Sequence, residues 1–355
     1  MAKSSKVTIG DIAKYTNIST GTIDRVIHKR GKVSLKKKAL VEDAIDELGF
    51  NPNFLASTLA LGKQFTICTL LPEANNIEKY WALPKIGIEK IGQEYEVYGF
   101  VMDHLEYFLF DESSFVKQAK LIVEKNPSGV ILAPLFEKES RLLTKELDKK
   151  NIPYVFIDAN ISDGNPISYI GPDSKSSGLV AAKLLDSILR PDDNILVVNM
   201  VKGVENSSLV RTIEKGFLDF FKTSDNSTKR KIYTLTIHST DKSDVVKELT
   251  KCYIKNPNIK GVFVTNSRAH LVSDFHISHD LDIRVIGFDV IEENIREMKK
   301  GGISFLISQS PIFQGKWAVQ TFFNLFVSKK KLKAVHHVPI DIIIKENVDF
   351  YLDSF

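Results

Sequence analysis

The stretch "VTIGDIAKYTNISTGTIDRVIHKRGKVS", residues 7–34, decides the fold of the first part of the chain. Residues 8–11, Thr-Ile-Gly-Asp, have the form of a capping box, which opens a helix. "TNIS" at residues 16–19 interrupts the helical pattern, and Ser19 can cap a second helix. The inner face of that helix carries apolar residues at helical spacing: Ile23, Val26 and Ile27. The pattern predicts two short helices joined by a tight turn.

A third helix follows the turn "HKRGK". Ser34 can cap it, and Gly49 is a typical C-terminal stop. Its inward residues are expected to be Leu40, Val41, Ala44, Ile45 and Leu48. Three short helices with a tight turn between the first two form a helix-turn-helix unit. Residues 53–61 could form one further helix after Asn51-Pro52, too short to persist alone in water.

The positive charge of the chain is concentrated in this first part. Residues 1–64 contain eleven Lys or Arg and six Asp or Glu, whereas the whole chain has a net charge of +4. Such asymmetry indicates a polyanion as the partner of this segment. A solvated basic tail is the alternative, but the apolar periodicity of the helices disfavours it.

Composition restricts the class of protein. Of the 355 residues, 43% are hydrophobic and 26% are charged, as in folded globular proteins. No apolar run approaches the length of a membrane span and the first residues lack an apolar signal segment, so we expect a cytoplasmic protein without a membrane partner. Cys68 and Cys252 show no metal spacing. No metal site is predicted at His270, His276 and His279 either, because no cysteine or carboxylate completes one.

From Phe65 onward, short β-rich runs alternate with helical patterns. The runs lie at residues 66–71, 97–102, 129–134, 154–159, 195–200, 231–238, 261–266, 283–289 and 304–310. This alternation predicts an α/β fold of parallel sheets flanked by helices, and the number of runs predicts two lobes. None of the runs is followed by a phosphate-binding glycine motif, so no nucleotide cofactor is expected.

The first 63 residues resemble the DNA-binding headpiece and hinge of the lactose-repressor (LacI) family of bacterial regulators, with the match at residues 6–63. The rest is similar to that family's effector domain, shaped like a periplasmic sugar-binding protein of the ribose-binding type. The cues include "IPYVFIDA", "YIGPDSKSSGLVAAKLL", "VIGFD" and "ISQSPIFQGKWA". The resemblance implies a helix-turn-helix domain at 1–50, a hinge helix at 51–64, an N-terminal lobe at 65–172 and 310–336, and a C-terminal lobe at 173–309 and 337–355.

The resemblance also implies which residues meet DNA. In the family the second helix enters the major groove, where Thr20 and Gly21 match variable base-reading positions. Arg25 matches a common base-reading arginine, whose planar fork can bond guanine O6 and N7 together. The full set implied is Thr8, Ser19, Thr20, Gly21, Thr22, Arg25, His28, Lys32, Ser34, Asn53 and Leu59.

Two of these positions leave alternatives open. Asp24 stands where a serine is usual, and it could orient Arg25, accept a hydrogen bond from a cytosine amine, or pair with His28. Leu59 matches the leucine that paired hinges insert into the minor groove, where it kinks the duplex. A linker leucine that packs on the core is the alternative.

A ligand between two α/β lobes should meet residues at the carboxyl ends of strands. By this rule the predicted strands give six polar candidates: Asp103, His104, Asp158, Asn266, Asp289 and Gln309. The resemblance selects the last four independently and adds Arg211, with Tyr80 and Trp81 placed against a sugar ring. Ala159 stands where ribose-type members often have arginine, which counts against ribose itself. The alternatives are a turn-forming role for a strand-end aspartate and simple packing for Trp81.

These features predict a homodimeric, sequence-specific DNA-binding regulator, a repressor rather than an activator. It would bind a pseudo-palindromic double-stranded operator and respond to a small ligand, a sugar or sugar derivative, held between the lobes. The alternative is a cytoplasmic ligand-binding protein without a DNA role, against which the basic headpiece counts. An enzyme is not expected, because the strand-end groups include no nucleophile–base pair. The effector and the direction of its effect stay open.

Overall fold

The computed structural model describes residues 7–27, 31–48, 63–74, 79–200, 207–223 and 230–353. His28, Asn53 and Leu59, like the predicted hinge helix at 53–61, lie outside these residues.

Three helices form the N-terminal domain: α1 Ile9–Thr16, α2 Thr20–Ile27 and α3 Leu35–Leu48. The predicted capping box is confirmed. The Thr8 backbone N–H donates to Asp11 Oδ2 at 2.8 Å, and the Asp11 N–H donates to Thr8 Oγ1 at 3.3 Å. Asn17 ends α1 in the left-handed conformation (φ 54°), which turns the chain towards α2.

A small apolar core joins these helices. It consists of Ile12, Ile23, Val26, Val41 and Ala44. The prediction that Leu40 faces inward is wrong, because 46% of this residue is exposed. Val41 and Ala44, three residues apart, define the inner face of α3, and Leu40 lies about 100° away from Val41 around the helix.

The rest of the described chain is built on two six-stranded sheets. The first contains β1 Phe65–Pro72, β2 Phe100–Tyr107, β3 Gly129–Leu132, β4 Tyr154–Ile157, β5 Ser168–Gly171 and β11 Val335–His337. The second contains β6 Asn194–Met200, β7 Ile232–Ile237, β8 Ile259–Val264, β9 Arg284–Phe288, β10 Phe305–Ser308 and β12 Asp341–Ile343. The strand orders are β11-β5-β4-β3-β1-β2 and β12-β10-β9-β8-β6-β7. All neighbouring strands are parallel except β10 and β12.

Helices cover both sheets, and each sheet with its helices forms one lobe. The first lobe has α4 Ala82–Tyr95, α5 Glu112–Lys125, α6 Glu137–Lys149 and α12 Pro311–Phe323. The second has α7 Ser174–Ile188, α8 Ser207–Thr223, α9 Lys242–Lys255, α10 Ala269–Ser278, α11 Glu292–Lys299 and α13 Val348–Leu352. Shorter turns of helix lie at Lys79–Trp81, Glu96–Tyr98 and Asn324–Ser328. Within the described ranges, no helix combines the length and apolar character that crossing a membrane requires.

The predicted α/β class is confirmed, and each predicted run overlaps a strand. The second strand is the largest deviation: it starts at Phe100, not at residue 97, and continues to Tyr107. A helical turn at Glu96–Tyr98 and the left-handed Gly99 (φ 83°) precede it. Strands β5, β11 and β12 were not predicted. Strands β11 and β12 have only three residues, too few for a pattern, and Ile170 is the one aliphatic residue of β5. His337 of β11 pairs in the first sheet, one residue beyond the lobe boundary predicted at 336.

Candidate DNA-reading helix and ligand cavity

The outer face of α2 carries the predicted base-reading residues. Thr20, Gly21 and Arg25 are exposed, whereas Ile23 and Val26 on the opposite face are buried. An ideal Cβ built on Gly21 would meet no atom within 4 Å. This face of α2 is therefore open for the approach of a large partner.

The residues that flank α2 are also at the surface. The Ser19 and Thr22 hydroxyl oxygens lie 3.0 Å apart in a hydrogen bond. Ser19 is exposed and Thr22 is half-buried. Thr8, Lys32 and Ser34 are exposed as well. The described headpiece thus presents hydroxyls and cations on one connected stretch of sequence, groups that suit phosphate contacts.

A cavity of about 80 Å³ lies between the two lobes. Six of the predicted ligand residues line it: Tyr80, Trp81, Asp158, Asn266, Asp289 and Gln309. The other lining residues are Leu109, Leu135, Met200, Leu209, Val210, Ile213, Thr265, Ser267 and Arg268. The polar lining residues that follow β4, β8, β9 and β10 lie together at the cavity because parallel strands end at the same edge of a sheet.

Two aspartates face this cavity from opposite lobes. Asp158 directly follows β4, and Asp289 directly follows β9. Both adopt the left-handed conformation, with φ of 66° and 68°, which aspartate tolerates better than most residues. The Asp158 N–H donates to the Ile170 carbonyl at 3.2 Å, and the Asp289 N–H donates to that of Ile307 at 2.9 Å. The same local geometry therefore places a carboxylate at the cavity in each lobe.

Burial changes the acid strength of both carboxyl groups. Asp158 is 3% exposed and accepts one hydrogen bond at 2.7 Å from the Tyr80 hydroxyl; burial raises its pKa to about 6, although this bond lowers it. Asp289 is 5% exposed and accepts one at 3.2 Å from Gln309 Nε2. Burial first, and the charge of Asp158 in addition, raise the pKa of Asp289 to about 8, against the lowering effect of Gln309. Both groups therefore change charge near neutral pH.

Two glutamines connect these strand ends. Gln314, in the first turn of α12, accepts from the Asp158 N–H at 2.8 Å through Oε1. Its Nε2 donates to the Gln309 carbonyl at 2.9 Å. Gln314 thus bridges the first lobe and the strand end of the second, a role that was not predicted. Gln309 Oε1 is buried and has no protein donor.

Two candidates from the second strand are corrected by the structure. Asp103 and His104 do not follow a strand but lie in the middle of β2, opposite Cys68 and Thr69. The Asp103 carboxylate pairs with Lys125 at 2.8 Å, and His104 Nδ1 shares a hydrogen bond of 3.3 Å with the Thr69 hydroxyl. The prediction was wrong because it ended the strand at the last apolar residue.

Arg211 does not reach the cavity. It is exposed on α8, while Val210 and Ile213 of the same helix line the cavity. Arg268 is the cation at the cavity wall: it is 8% exposed, and its Nη1 donates to the Met200 carbonyl at 3.3 Å. In the sequence, its position two residues after Asn266, in the loop that follows β8, is the signal that could have indicated its place at the cavity.

The histidines of α10 have structural partners. His276 Nε2 lies 2.6 Å from the Tyr253 hydroxyl, and burial lowers the pKa of this imidazole to about 3. His270 Nδ1 lies 3.1 Å from Asn294 Oδ1. In the described part of the chain, no three His, Cys, Asp or Glu side chains are grouped so that they could hold a metal ion.

Comparison with known proteins gives the same two-part organisation. The family described as "Bacterial regulatory proteins, lacI family" matches residues 8–53, and that described as "Periplasmic binding protein domain" matches residues 68–330. The ribose operon repressor of Lactococcus lactis subsp. lactis (strain IL1403) is 24% identical over 348 residues, 96% of this chain and 98% of that protein.

Solved structures show the same architecture. A Bacteroides fragilis protein assigned to the LacI transcriptional regulators superposes with a TM-score of 0.76 at 27% identity, covering 81% of this chain and 100% of that one. The glucose-galactose binding protein GanP from Geobacillus stearothermophilus shares the fold, with a TM-score of 0.70 at 20% identity over 80% of this chain and 99% of that one. The chain therefore belongs to the lacI family of bacterial regulatory proteins, with a helix-turn-helix DNA-binding domain followed by a periplasmic binding protein domain.

Proposed function

We propose that this regulator is a repressor that binds a pseudo-palindromic operator as a homodimer. Its operator affinity falls or rises when a small carbohydrate binds in the cavity. The proposal rests on one observation: the same chain has an exposed α2 face and a polar cavity lined by both lobes. The repressor name of the Lactococcus lactis relative supports it. Such a regulator acts where bacterial DNA lies, in the cytoplasm, and needs no catalytic step.

On the DNA side, Arg25 is the main base reader and Thr20, Gly21 and Thr22 complete the contact surface. Thr8, Ser19, Lys32 and Ser34 contact phosphates or flank the groove, together with His28 and Asn53. Leu59 of each subunit is the minor-groove wedge. One α2 helix reads one half-site, so two subunits related by a two-fold axis are needed for a pseudo-palindrome.

On the ligand side, Asp158 and Asp289 bond hydroxyl groups from opposite lobes, with Asn266, Gln309, Tyr80 and Trp81 around the sugar. The cavity of about 80 Å³ is below the roughly 300–1,000 Å³ of usual ligand pockets, so entry requires the lobes to move apart. Closure on the ligand then changes the spacing of the two headpieces. Coupling between two sites is typically about 1–3 kcal/mol and acts in both directions.

The DNA half is tested by fluorescence-anisotropy titration of an operator selected from random DNA. Arg25→Ala should weaken binding by about 1–3 kcal/mol and relax discrimination at one base pair per half-site, and affinity should fall steeply with salt. Arg284→Ala, which removes an exposed arginine of the second lobe, is the matched control and should bind like the parent. If Arg25→Ala binds operator and scrambled DNA as the parent does, α2 is not the reading helix.

The ligand half is tested by a thermal-shift screen of monosaccharides, followed by operator titration with and without each hit. A sugar that stabilises the parent should change operator affinity, and operator DNA should change sugar affinity by the same factor. Sugars that bind without any effect on operator affinity would contradict ligand gating.

A further inference from the structure

Two buried carboxyl groups, Asp158 and Asp289, line the cavity from opposite lobes. The side-chain partner of Asp158 is the Tyr80 hydroxyl, and that of Asp289 is the Gln309 amide, both neutral groups. Among the described residues, neither carboxylate is part of an ion pair of 4.0 Å or less. Arg268, the cation in the wall, directs Nη1 to the Met200 carbonyl. Buried carboxyl groups are normally paired with a cation or take up a proton, so a positively charged group of a ligand would complement these two.

The hydrogen-bonding groups of the cavity are also unbalanced. Gln309 is 6% exposed and lines the cavity, and its Oε1 accepts no hydrogen bond from the protein. Each carboxylate has four lone-pair sites and, among the described residues, a single side-chain donor. The two carboxylates and Gln309 Oε1 therefore leave acceptor sites for a ligand, and a group with several donors fits them.

We propose that the ligand of this cavity is an amino sugar, whose protonated amine lies between Asp158 and Asp289. This inference rests on the proposed ligand-gated function and specifies its ligand class. An ammonium group has three donors and no acceptor, which matches two carboxylates and Gln309 Oε1. A sugar hydroxyl in the same place supplies one donor and directs its own lone pairs at the carboxylates.

The aromatic wall favours the same chemistry. Tyr80 and Trp81 lie edge to face, with ring centroids 5.1 Å apart at 86°, and both line the cavity. One ring can stack on the apolar face of a pyranose, and a ring face also attracts a nearby ammonium. The sugar ring and the amine thus have complementary surfaces in one site.

Charge also makes closure depend on the ligand. When the lobes are apart, water solvates both carboxylates. Closure removes this water and brings two carboxyl groups into one cavity, where burial raises the pKa of both, so closing around a neutral ligand requires proton uptake near neutral pH. An amino sugar removes this requirement because its cation stabilises both carboxylates, whereas the matching neutral sugar leaves it in place.

The test is calorimetry on the full-length protein at pH 7.5 with three sets of probes. D-Glucosamine, D-galactosamine and D-mannosamine are compared with the parent hexoses and with the N-acetylated amines, which keep the ring but lose the charge. At least one amine should bind ten-fold or more tightly than both of its neutral counterparts. Asp158→Asn and Asp289→Asn keep the shape of the side chain and should each remove this preference.

Each outcome decides the inference. It is overturned if a neutral hexose binds as tightly as its amine, if none of the amines binds, or if the preference survives in either Asn variant. A neutral sugar that binds and shifts operator affinity would leave the proposed function intact while removing the amino-sugar assignment. An amine that binds with the expected preference but leaves operator affinity unchanged would support the ligand class and contradict ligand gating instead.

Discussion

The two lobes have the same plan but do not treat their equivalent aspartates alike. Strands β1 to β5 of the first sheet correspond in order to β6 to β10 of the second. Asp158 and Asp289 occupy matching places, directly after the fourth strand of each set, with nearly equal φ angles. Yet the first carboxyl has a pKa of about 6 and the second of about 8.

Burial raises both pKa values, the charge of Asp158 raises that of Asp289 further, and the hydrogen-bond donors that each lobe supplies also differ. A hydroxyl donor from Tyr80 approaches Asp158 at 2.7 Å, whereas the Gln309 amide approaches Asp289 at 3.2 Å. The closer donor stabilises the ionised form more strongly. The repeated backbone thus sets the positions of the two aspartates, and the residues beside each aspartate determine its charge.

Each lobe also contains a close crossing of two helices at a glycine. An ideal Cβ on Gly315 of α12 would lie 2.1 Å from the Pro84 carbonyl oxygen of α4, and one on Gly178 of α7 would lie 2.1 Å from that of Ile213 in α8. The backbones cross so closely that only glycine fits at either point. The two crossings touch the site differently: Gly315 directly follows Gln314, which bonds to the Asp158 N–H, whereas Gly178 packs on Ile213, an apolar residue that lines the cavity.

The largest effect is expected from Gly315→Ala. The new methyl group would collide with backbone, so α12 must shift, and overpacking of this kind destabilises by about 1–3 kcal/mol or more. The shift moves Gln314 and should abolish ligand binding as well. Urea unfolding and calorimetry measure the two losses. Gly178→Ala should lower stability similarly but weaken ligand binding less, which sharpens the comparison of the lobes.

Gly21→Ala is the matched control, because an added Cβ there meets nothing within 4 Å. Its unfolding midpoint should stay at or slightly above that of the parent, since alanine favours helix over glycine. An equal urea midpoint for Gly315→Ala and the parent would show that α4 and α12 can separate freely.

Sequence patterns predicted the strand-end residues of buried strands but not those of an edge strand. Runs such as "VFID" and "IGFD" are apolar until the strand ends, so their first polar residues, Asp158 and Asp289, mark the end. At the edge strand β2, exposed and half-buried residues are interspersed with buried ones, so Asp103 is polar although the strand continues. Polar residues within a half-exposed strand hide where it ends.

Residues that act through the tertiary structure escaped prediction. Gln314 lies 156 positions from Asp158, and only the packing of α12 brings its amide to that backbone N–H. Arg211 is on the helix that faces the cavity, but on its outer side, because the rotation of α8 is set by its apolar residues. Local patterns do not specify such rotations or long-range bridges.

The next effect concerns the pH dependence of stability without ligand. Both carboxyls have folded-state pKa values above the 3.8 of an unperturbed aspartate, so folding favours their neutral forms. Their contribution to stability is complete below about pH 4 and is lost as pH rises through about 6 for Asp158 and about 8 for Asp289. One proton contributes a slope of at most about 1.4 kcal/mol per pH unit.

Urea unfolding from pH 5 to 9 should separate the two lobes. Asp289→Asn stays neutral and should flatten the profile up to about pH 8, whereas Asp158→Asn should flatten it only below about pH 6. Identical profiles for the parent and the Asp289 variant would mean that this carboxyl does not titrate in the window.

The smallest effect is expected where the lobes touch at the surface. Lys79 of the first lobe reaches Glu293 at 2.6 Å and Glu292 at 3.3 Å, both in the first turn of α11 in the second lobe. These pairs favour closure, but they are solvated and screened, so each contributes little.

Lys79→Ala should weaken ligand affinity less than about five-fold, mainly through faster dissociation. The effect should fade in high salt, where the parent pair is already screened. Lys299→Ala breaks a pair of 2.7 Å with Asp349 inside the second lobe and should leave ligand dissociation unchanged. Stopped-flow dissociation of a hit from the sugar screen at low and high salt measures this. Equal dissociation rates for the two lysine variants at low salt would show that Lys79 does not hold the lobes together.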